Sequence, residues 1–247
     1  MKNQKIYIIQ HVAKCGGTTV RKWLEKHYSL DDELLLLFNA PIYQGLSPFA
    51  GVDSITEKLL SEEVKKRKNI KVVFGHKVSL STMKRVFPDR ELVVITMTRN
   101  PVDVLVSQFN DYRSHILREV RRGKLYECSD KGFLEWYQNE KINNALVVAY
   151  SRLLLNCPPK DVGKKLQEID YVMHTPTLNQ DMKWLAKELD IPEDFEPRNS
   201  AQFNLGQYAE NVYRIQPEIR QDFLEKGKVG QQLYMLMMKR RNEILEA

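Results

Sequence analysis

The stretch His11-Val-Ala-Lys-Cys-Gly-Gly-Thr-Thr-Val20 joins the first predicted strand of this 247-residue chain to its first predicted helix. The apolar residues 6–9 before it are typical of a buried strand, and residues 20–28 after it place their large side chains at helical spacing. Two adjacent glycines let the backbone approach a ligand closely, and the first N–H groups of the helix point toward that ligand. Because Lys14 adds a positive charge to this strand–loop–helix unit, we predict a site for a phosphate-like anion.

The order of residues in this loop excludes the nucleoside-triphosphate P-loop. That loop needs lysine directly after its last glycine, whereas Lys14 precedes Gly16 and Gly17. A cysteine-dependent phosphatase is a second interpretation, because Cys15 and Arg21 have the C-x5-R spacing of enzymes in which a thiolate attacks phosphorus. The loop by itself leaves open both the phosphatase and a purely structural β–α turn.

A second informative segment covers residues 91–109. Its run Leu-Val-Val-Ile-Thr-Met is apolar and mostly β-branched, which is typical of a strand covered on both faces. Asn100 is suited to cap the helix that follows, and Pro101 suits the first position of that helix. Arg99 therefore falls at the carboxyl end of a strand, where open α/β sheets bind ligands. Ser107 lies about two helical turns beyond the cap.

Together, the two segments resemble the motifs of the sulfotransferases that use 3′-phosphoadenosine 5′-phosphosulfate (PAPS). The family's first loop reads roughly His-x-Pro-Lys-x-Gly-Gly-Thr-Ser/Thr, and its second motif has an arginine, an Asp/Asn-Pro helix start and a serine eight residues after the arginine. The first loop is matched at His11, Lys14, Gly16, Gly17, Thr18 and Thr19, with departures at Ala13 and Cys15. The resemblance favours a sulfotransferase over a phosphatase, because a phosphatase leaves the segment 91–109 unexplained.

The resemblance implies a donor site in two parts. The 5′-phosphosulfate is expected on the loop residues Lys14, Cys15, Gly16, Gly17, Thr18 and Thr19. Arg99 and Ser107 match the spacing of the family's 3′-phosphate contacts. Arg198 is expected as a third contact, since its segment is similar to the family's loop over the nucleotide. The fold implied is a three-layer α/β fold with a P-loop-like architecture, in which helices flank a central, mainly parallel sheet.

A histidine at a further strand end is predicted to act on the acceptor in this reaction. Residues 71–75 read as a short strand that delivers His76 to the same edge of the sheet. An acceptor alcohol loses its proton as the sulfur–oxygen bond forms, and a histidine titrates in the right pH range to take that proton. In the carbohydrate branch of the family a Gly-His pair supplies this base. The resemblance thus implies direct in-line transfer to a saccharide or glycoconjugate hydroxyl, with Lys14 neutralising charge on the leaving phosphate. A small lipid or secondary-metabolite alcohol stays open as the acceptor, and a structural role stays open for His76.

The sequence does not call for a metal ion. Phosphoryl transfer from ATP or GTP needs Mg²⁺, usually held by an acidic residue at a neighbouring strand end, whereas the strand in segment 91–109 ends in threonine and arginine. No His, Cys, Asp or Glu grouping has metal-ligand spacing either. A non-catalytic nucleotide-binding protein remains an alternative beside the phosphatase.

The composition is that of one soluble enzyme domain covering residues 1–247, with 43% hydrophobic and 28% charged residues. No apolar stretch approaches the ~20 residues that span a bilayer, and the sequence runs straight into its first strand, so we expect neither an anchor nor a leader. Three cysteines indicate reduced thiols and a cytoplasmic location. The net charge is +6, yet the basic runs lack interleaved aromatics, so we expect solvated helix surface and no nucleic-acid partner; these runs are 65–68, 118–124 and 239–241.

The remaining segments are predicted more coarsely. Residues 29–56 read as irregular, and the longer segment 29–68 is expected to line the acceptor pocket. A strand is predicted at 170–173, followed by a capping box at 177–180 that opens a helix. Residues 218–246 are predicted to form one long C-terminal helix.

Overall fold

The structure, a computed structural model, describes residues 5–37, 54–67, 69–117, 123–140, 146–196 and 212–246. Its strands are β1 (Ile6–Gln10), β2 (Leu34–Leu37), β3 (Val72–Gly75), β4 (Leu92–Thr98) and β5 (Tyr171–His174). Within the described residues they form one sheet with the order β2-β3-β1-β4-β5, and each neighbouring pair is parallel. This arrangement confirms the parallel central sheet expected from the sequence.

Helices flank this sheet, as the predicted fold requires. The α-helices that the structure describes are α1 (Gly17–His27), α2 (Ser54–Lys66), α3 (Leu80–Val86), α4 (Pro101–Leu117), α5 (Asp130–Asn139), α6 (Leu178–Leu189), α7 (Pro217–Lys226) and α8 (Lys228–Leu245). The described residues also form a π-helix at Val147–Leu154 and 3₁₀ segments at Pro159–Glu168 and Thr175–Thr177. Successive residues of a strand point to opposite faces, and every residue of β3 is buried. Both faces of the sheet are therefore covered, which confirms the α/β class.

The register of the strands brings their carboxyl ends to one level. Gln10 lies opposite Gly75 of β3 and Thr96 of β4, and Thr98 lies opposite His174 of β5. The residues that directly follow these four strands consequently share one edge of the sheet; they are His11, His76, Arg99 and Thr175. Open α/β sheets bind their ligands at this edge.

Helix α4 is fixed from behind by an aromatic cluster, which consists of Phe109, Tyr112, Tyr126, Phe133, Trp136 and Tyr213. The buried Asn110 side chain adds two hydrogen bonds to the Tyr213 backbone, at 2.9 and 3.0 Å. At the start of the helix, the Val102 N–H donates to Asn100 Oδ1 at 3.0 Å, as the sequence predicts. These contacts fix one face of α4 in place. Its other face can therefore lie toward the edge of the sheet at which ligands bind.

Strand β2 corrects the prediction of irregular structure over residues 29–56. Residues 34–37 are four leucines, and they pair in parallel with Val72–Gly75 of β3. A continuous apolar run of this length has no period that tells a buried strand from a buried helix, so the sequence alone does not assign it. Residues 38–53, which belong to the predicted acceptor-pocket segment, lie outside the described residues.

The C-terminal region departs from the sequence prediction in two ways. The single helix expected over 218–246 is two helices, because the chain breaks at Gly227. The Gly227 N–H closes α7 by donating to the Phe223 carbonyl at 2.9 Å. Arg241, expected on solvated surface as part of the basic run 239–241, is instead buried against the sheet, where it donates to the Val172 carbonyl at 2.5 Å. None of the described helices is long and apolar enough to cross a membrane.

Candidate active site

A cavity of about 770 Å³ opens at the carboxyl edge of the sheet. This volume lies in the range of ordinary ligand sites, about 300–1,000 Å³. Its walls come from four strand ends and from α1, α4 and α6. They consist of His11, Ala13, Lys14, Gly16, Gly17, Thr18, Thr19, His76, Arg99, Asp111 and residues 175–180. Three predictions made separately from the sequence, the glycine loop, His76 and Arg99, therefore meet in one place.

The loop between β1 and α1 has a backbone built for close approach to a ligand. Lys14 has φ 65° and Gly16 has φ 92°, so both lie in the left-handed region. For a residue with a side chain this conformation costs about 1–3 kcal/mol, and it recurs at functional sites. Arg99 Nη1 supports the strained position by donating to the Lys14 carbonyl at 3.0 Å. Gly16 is the N-cap of α1. Because glycine has no side chain, the cap residue does not hydrogen-bond the first N–H groups of the helix.

The second glycine of the loop is required by His11. A Cβ atom added at Gly17 lies 1.9 Å from the His11 ring, a distance that no side chain tolerates. At Gly16, a Cβ atom lies 2.8 Å from the Leu178 side chain. The two glycines thus let a histidine pack against the helix start from one side and α6 close over the loop from the other.

His76 is oriented by the backbone of the same loop. Its Nδ1 lies 2.8 Å from the His11 carbonyl oxygen. Because a carbonyl only accepts, Nδ1 carries the proton, and in the neutral ring Nε2 then holds the lone pair. Burial lowers the pKa of His76, an effect that its hydrogen bond to the His11 carbonyl partly offsets, while nearby Arg21 and Lys14 lower it further. The ring is therefore held neutral near pH 7 with one nitrogen able to take a proton.

Lys14 has a charged partner inside the cavity that the sequence reading missed. Its Nζ lies 3.0 Å from Asp111 Oδ1, and the two side chains are 20% and 34% exposed. Asp111 is on α4, twelve residues after Arg99 and one helical turn after Ser107. The sequence held one signal for Asp111. It lies four residues after Ser107, and residues four apart lie on the same face of a helix.

Cys15 has no access to the cavity, which corrects the phosphatase interpretation. Its side chain is completely buried, and Sγ lies 3.7 Å from the Ala13 carbonyl. Burial raises the pKa of the Cys15 thiol to about 12, against a smaller lowering by Arg99. A phosphatase nucleophile must be an exposed thiolate, whereas this thiol stays protonated in the core. Arg21, the other half of the C-x5-R spacing, lies 3.3 Å from Glu25 on the next turn of α1.

Ser107 and Arg198 are the remaining predicted donor contacts. Ser107 is half-buried on α4 and is absent from the cavity walls that the structure describes. It lies one turn from Asp111, which does line the cavity. Arg198 lies outside the described residues.

The segment between β5 and α6 supplies a wall of the cavity that the sequence reading did not assign. Asp181, fully buried, accepts hydrogen bonds from the His174 N–H at 2.7 Å and the Thr177 hydroxyl at 3.2 Å. Arg241 of α8 lies 2.7 Å from the same carboxylate. Thr177 is the N-cap residue but makes no side-chain cap hydrogen bond, so the predicted capping box is not formed. Asp181 instead ties the turn 174–177 to α6.

These elements together define a class of protein. A parallel α/β sheet with an anion loop, a strand-end arginine and an oriented histidine at one edge is typical of an enzyme that binds a phosphorylated ligand. Among the described residues, no group of three or more His, Cys, Asp and Glu side chains is arranged to hold a metal ion.

A model of the sulfotransferase family matches residues 2–234, so the chain belongs to the sulfotransferase family. This membership confirms the resemblance drawn from the two motifs and the enzyme class, a PAPS-dependent sulfotransferase. A comparison with curated proteins finds no significant match.

Solved structures with a similar chain path include two that contain PAP, which is 3′-phosphoadenosine 5′-phosphate. One is mouse sulfotransferase SULT7A1 complexed with PAP, at 12% identity and a TM-score of 0.46, covering 100% of this chain and 90% of that chain. Another is retinol dehydratase in complex with androsterone and inactive cofactor PAP, at 12% identity and a TM-score of 0.37, covering 97% of this chain and 81% of that chain.

Proposed function

We propose that this enzyme moves the sulfuryl group of PAPS to a hydroxyl group of a saccharide or glycoconjugate by direct in-line transfer, with His76 as the base. The observation that carries the proposal is the single cavity that contains Lys14, the loop amides, Arg99 and His76. Transfer from an anionic donor to an alcohol needs two components. One is a set of hydrogen-bond donors that binds the anion, and the other is an oriented neutral imidazole that accepts the proton of the alcohol.

The donor is assigned to the two sides of this cavity. The 5′-phosphosulfate lies on the backbone from Cys15 to Gly17 and on the Thr18 and Thr19 side chains, where the start of α1 favours negative charge. The Lys14 ammonium neutralises the negative charge that develops on the bridging oxygen. Arg99 takes the 3′-phosphate side, supported by its place in the cavity wall. Ser107 is included on its spacing from Arg99, and Arg198 on the resemblance alone.

The chemistry follows from the tautomer of His76. The acceptor oxygen attacks sulfur and passes its proton to His76 Nε2 while the bond from sulfur to the bridging oxygen breaks. The electron pair of that bond goes to the leaving phosphate, whose charge the Lys14 ammonium stabilises. PAP and the sulfated acceptor leave as products. Oriented donors of this kind are worth several kcal/mol in the transition state, because they need no rearrangement as charge develops.

One experiment separates this proposal from its alternatives. PAP is titrated into the protein and its affinity compared with those of ATP and AMP, which lack the 3′-phosphate; labelled PAPS is then offered with a panel of saccharide and lipid alcohols. We expect PAP to bind at least tenfold more tightly than AMP, and label to appear on a saccharide. Tight PAP binding without transfer to any alcohol favours a non-catalytic nucleotide-binding protein. Equal affinity for PAP and AMP overturns the donor assignment.

The cytoplasmic location and the absence of a nucleic-acid partner belong to the same proposal. The sequence contains three cysteines, an odd number without a disulfide framework, which supports a reducing compartment. Parts of the basic runs contribute to the protein's own contacts: Arg67 pairs with Glu63 at 2.8 Å, and Arg241 pairs with Asp181. These cations are therefore engaged within the fold, which weakens the case for a nucleic-acid surface.

A further inference from the structure

Asp111 places a negative charge in a cavity built for an anion. Among the described residues that line the cavity it is the one carboxylate, and Lys14 and Arg99 are the lysine and arginine that line it. Its Oδ1 lies 3.0 Å from Lys14 Nζ. A carboxylate at this position occupies the lysine that the donor's phosphates need, so its presence requires an explanation.

The two ends of Lys14 are held differently. Its backbone is fixed in the left-handed region, with the carbonyl bound by Arg99 at 3.0 Å. Its side chain is a flexible four-carbon stem whose ammonium is held at the tip by Asp111. The ammonium can therefore move between the carboxylate and a ligand while the loop itself stays in place.

Asp111 is not left in an apolar environment when Lys14 leaves. Its other oxygen, Oδ2, lies on the side of His115, whose Nε2 is 3.8 Å away, one turn further along α4. With a third of its surface exposed, the carboxylate is also partly hydrated. Releasing Lys14 therefore does not strand a buried charge, which distinguishes this pair from a fixed structural ion pair.

We propose that Asp111 is a positioning residue that holds Lys14 in the donor-free enzyme, and that an anionic ligand has to displace this carboxylate to bind. The proposal rests on the proposed function, because it takes Lys14 as the contact to the phosphosulfate. A ligand with anionic groups at both ends also gains contacts at Arg99, and these contacts offset the cost of displacing Asp111 from Lys14. Inorganic phosphate lacks those contacts. Asp111 thereby raises the number of contacts that an anion must make before it binds.

The first test is a double-mutant cycle in PAP affinity. Asp111→Asn should tighten PAP binding roughly threefold to fivefold, the fold-change expected for breaking a partly exposed ion pair that competes with the ligand. In the Lys14→Met background, the same Asp111→Asn change should alter the affinity less than twofold. Unchanged or weaker binding by the Asp111→Asn single variant overturns the proposal. A tightening that persists without Lys14 also overturns it, since Asp111 then acts by direct repulsion.

The second test needs no nucleotide. Free protein is treated with a trace of acetic anhydride, and acetylation of Lys14 is measured by peptide mass spectrometry relative to the exposed Lys131. Asp111→Asn should raise Lys14 labelling at least threefold, because the side chain is no longer held against the carboxylate and the reagent reaches it more often. Asp103→Asn is the matched control: it removes a carboxylate of the same helix, 2.6 Å from Arg220 and outside the cavity walls described, and should leave Lys14 labelling unchanged.

The two tests keep this proposal apart from the proposed function. If the wild-type protein does not bind PAP while Asp111→Asn still raises Lys14 labelling, the donor assignment fails and the holding contact stands. If PAP binds well but Lys14 labelling is the same in the wild type and Asp111→Asn, the donor assignment stands and the role of Asp111 is overturned.

Discussion

The imidazole ring of His76 stacks on that of His11, with ring centroids 4.1 Å apart and planes 23° from parallel. His76 also binds the backbone carbonyl of His11 through Nδ1 at 2.8 Å. Burial is the main cause that lowers the pKa of each ring, and for His11 the shift carries the pKa well below 6.5. Two stacked rings cannot both be charged at low cost. The pair is therefore neutral in the folded protein, and both rings open onto the same cavity.

His76→Asn tests the base. The variant should lower kcat by about 10²–10⁴-fold, the usual contribution of a positioned base, while the dissociation constant for PAP changes less than threefold. In the wild type, kcat/KM should stay level as the pH falls to about 6.5 and drop only below the lowered pKa of His76. Rates from pH 5 to 8 and PAP titrations supply the measurements. A variant with near-normal kcat removes His76 from the mechanism.

The buried His11 predicts how stability depends on pH. Below about 6.5 the unfolded chain binds a proton at this residue, whereas the folded chain, with its lowered pKa, does not. Protonation then favours the unfolded state, so the free energy of unfolding should fall as the pH falls, by up to about 1.4 kcal/mol per pH unit for one proton. Urea unfolding between pH 7.5 and 5.5 measures this slope, and His11→Gln should reduce it. An identical slope in the variant contradicts the assignment to His11.

Gly17→Ala tests the fit between the loop and His11. The new methyl group lies 1.9 Å from the His11 ring, so either the ring or the helix start must move. We expect a loss of about 1–3 kcal/mol in unfolding free energy and at least a tenfold loss of PAP affinity. Gly163→Ala is the control, because Gly163 is exposed on the 3₁₀ segment and a methyl group there has its nearest neighbour, the Leu236 side chain, at 3.8 Å. Equal effects of the two substitutions on PAP affinity are the result that speaks against this role of Gly17.

The sequence predicted those parts of the site that depend on the order of residues along one strand and its loop. The glycine loop, His76 and Arg99 each directly follow an apolar run, and parallel strands bring such residues to one edge. The cap at Asn100 followed equally from local geometry. Local order is enough in these cases, because each residue lies within a few positions of the strand that carries it.

The parts that were missed depend on contacts between distant segments. Asp111 meets Lys14 only because α4 crosses the loop, nearly a hundred residues away in sequence. Arg241 looks like the last residue of a solvated basic run, and its burial follows from the packing of α8 on β5. The four leucines of β2 have no period of their own. Pairing and packing of this kind override local pattern, and a single sequence does not record them.

Cys15→Ser separates the sulfotransferase from the phosphatase. The thiol is buried, and its pKa is raised to about 12, so it does not act as a nucleophile. Serine is smaller, and its hydroxyl has the Ala13 carbonyl nearby as an acceptor. Sulfuryl transfer should therefore stay within about threefold of the wild type, at a stability cost of about 1–2 kcal/mol for the buried polar group. Loss of all turnover in a variant that still binds PAP contradicts this picture.

Arg241→Met tests whether α8 supports the cavity. The arginine is 6% exposed and lies 2.7 Å from Asp181, which is fully buried and holds the turn 174–177 beside the cavity. Removing one partner of a buried pair leaves an uncompensated charge and typically costs 3–5 kcal/mol. We expect that loss in urea unfolding, together with weaker PAP binding because the turn is less well held.

Two further variants isolate the cause. Lys239→Met removes a side chain of the same helix that is 72% exposed, and it should change the free energy of unfolding by less than about 0.5 kcal/mol. Arg241→Met combined with Asp181→Asn removes both charges, so it should recover at least half of the stability lost by Arg241→Met alone. If the double variant is as unstable as the sum of its two single variants, the arginine acts through packing of its stem rather than through the carboxylate that orders the turn.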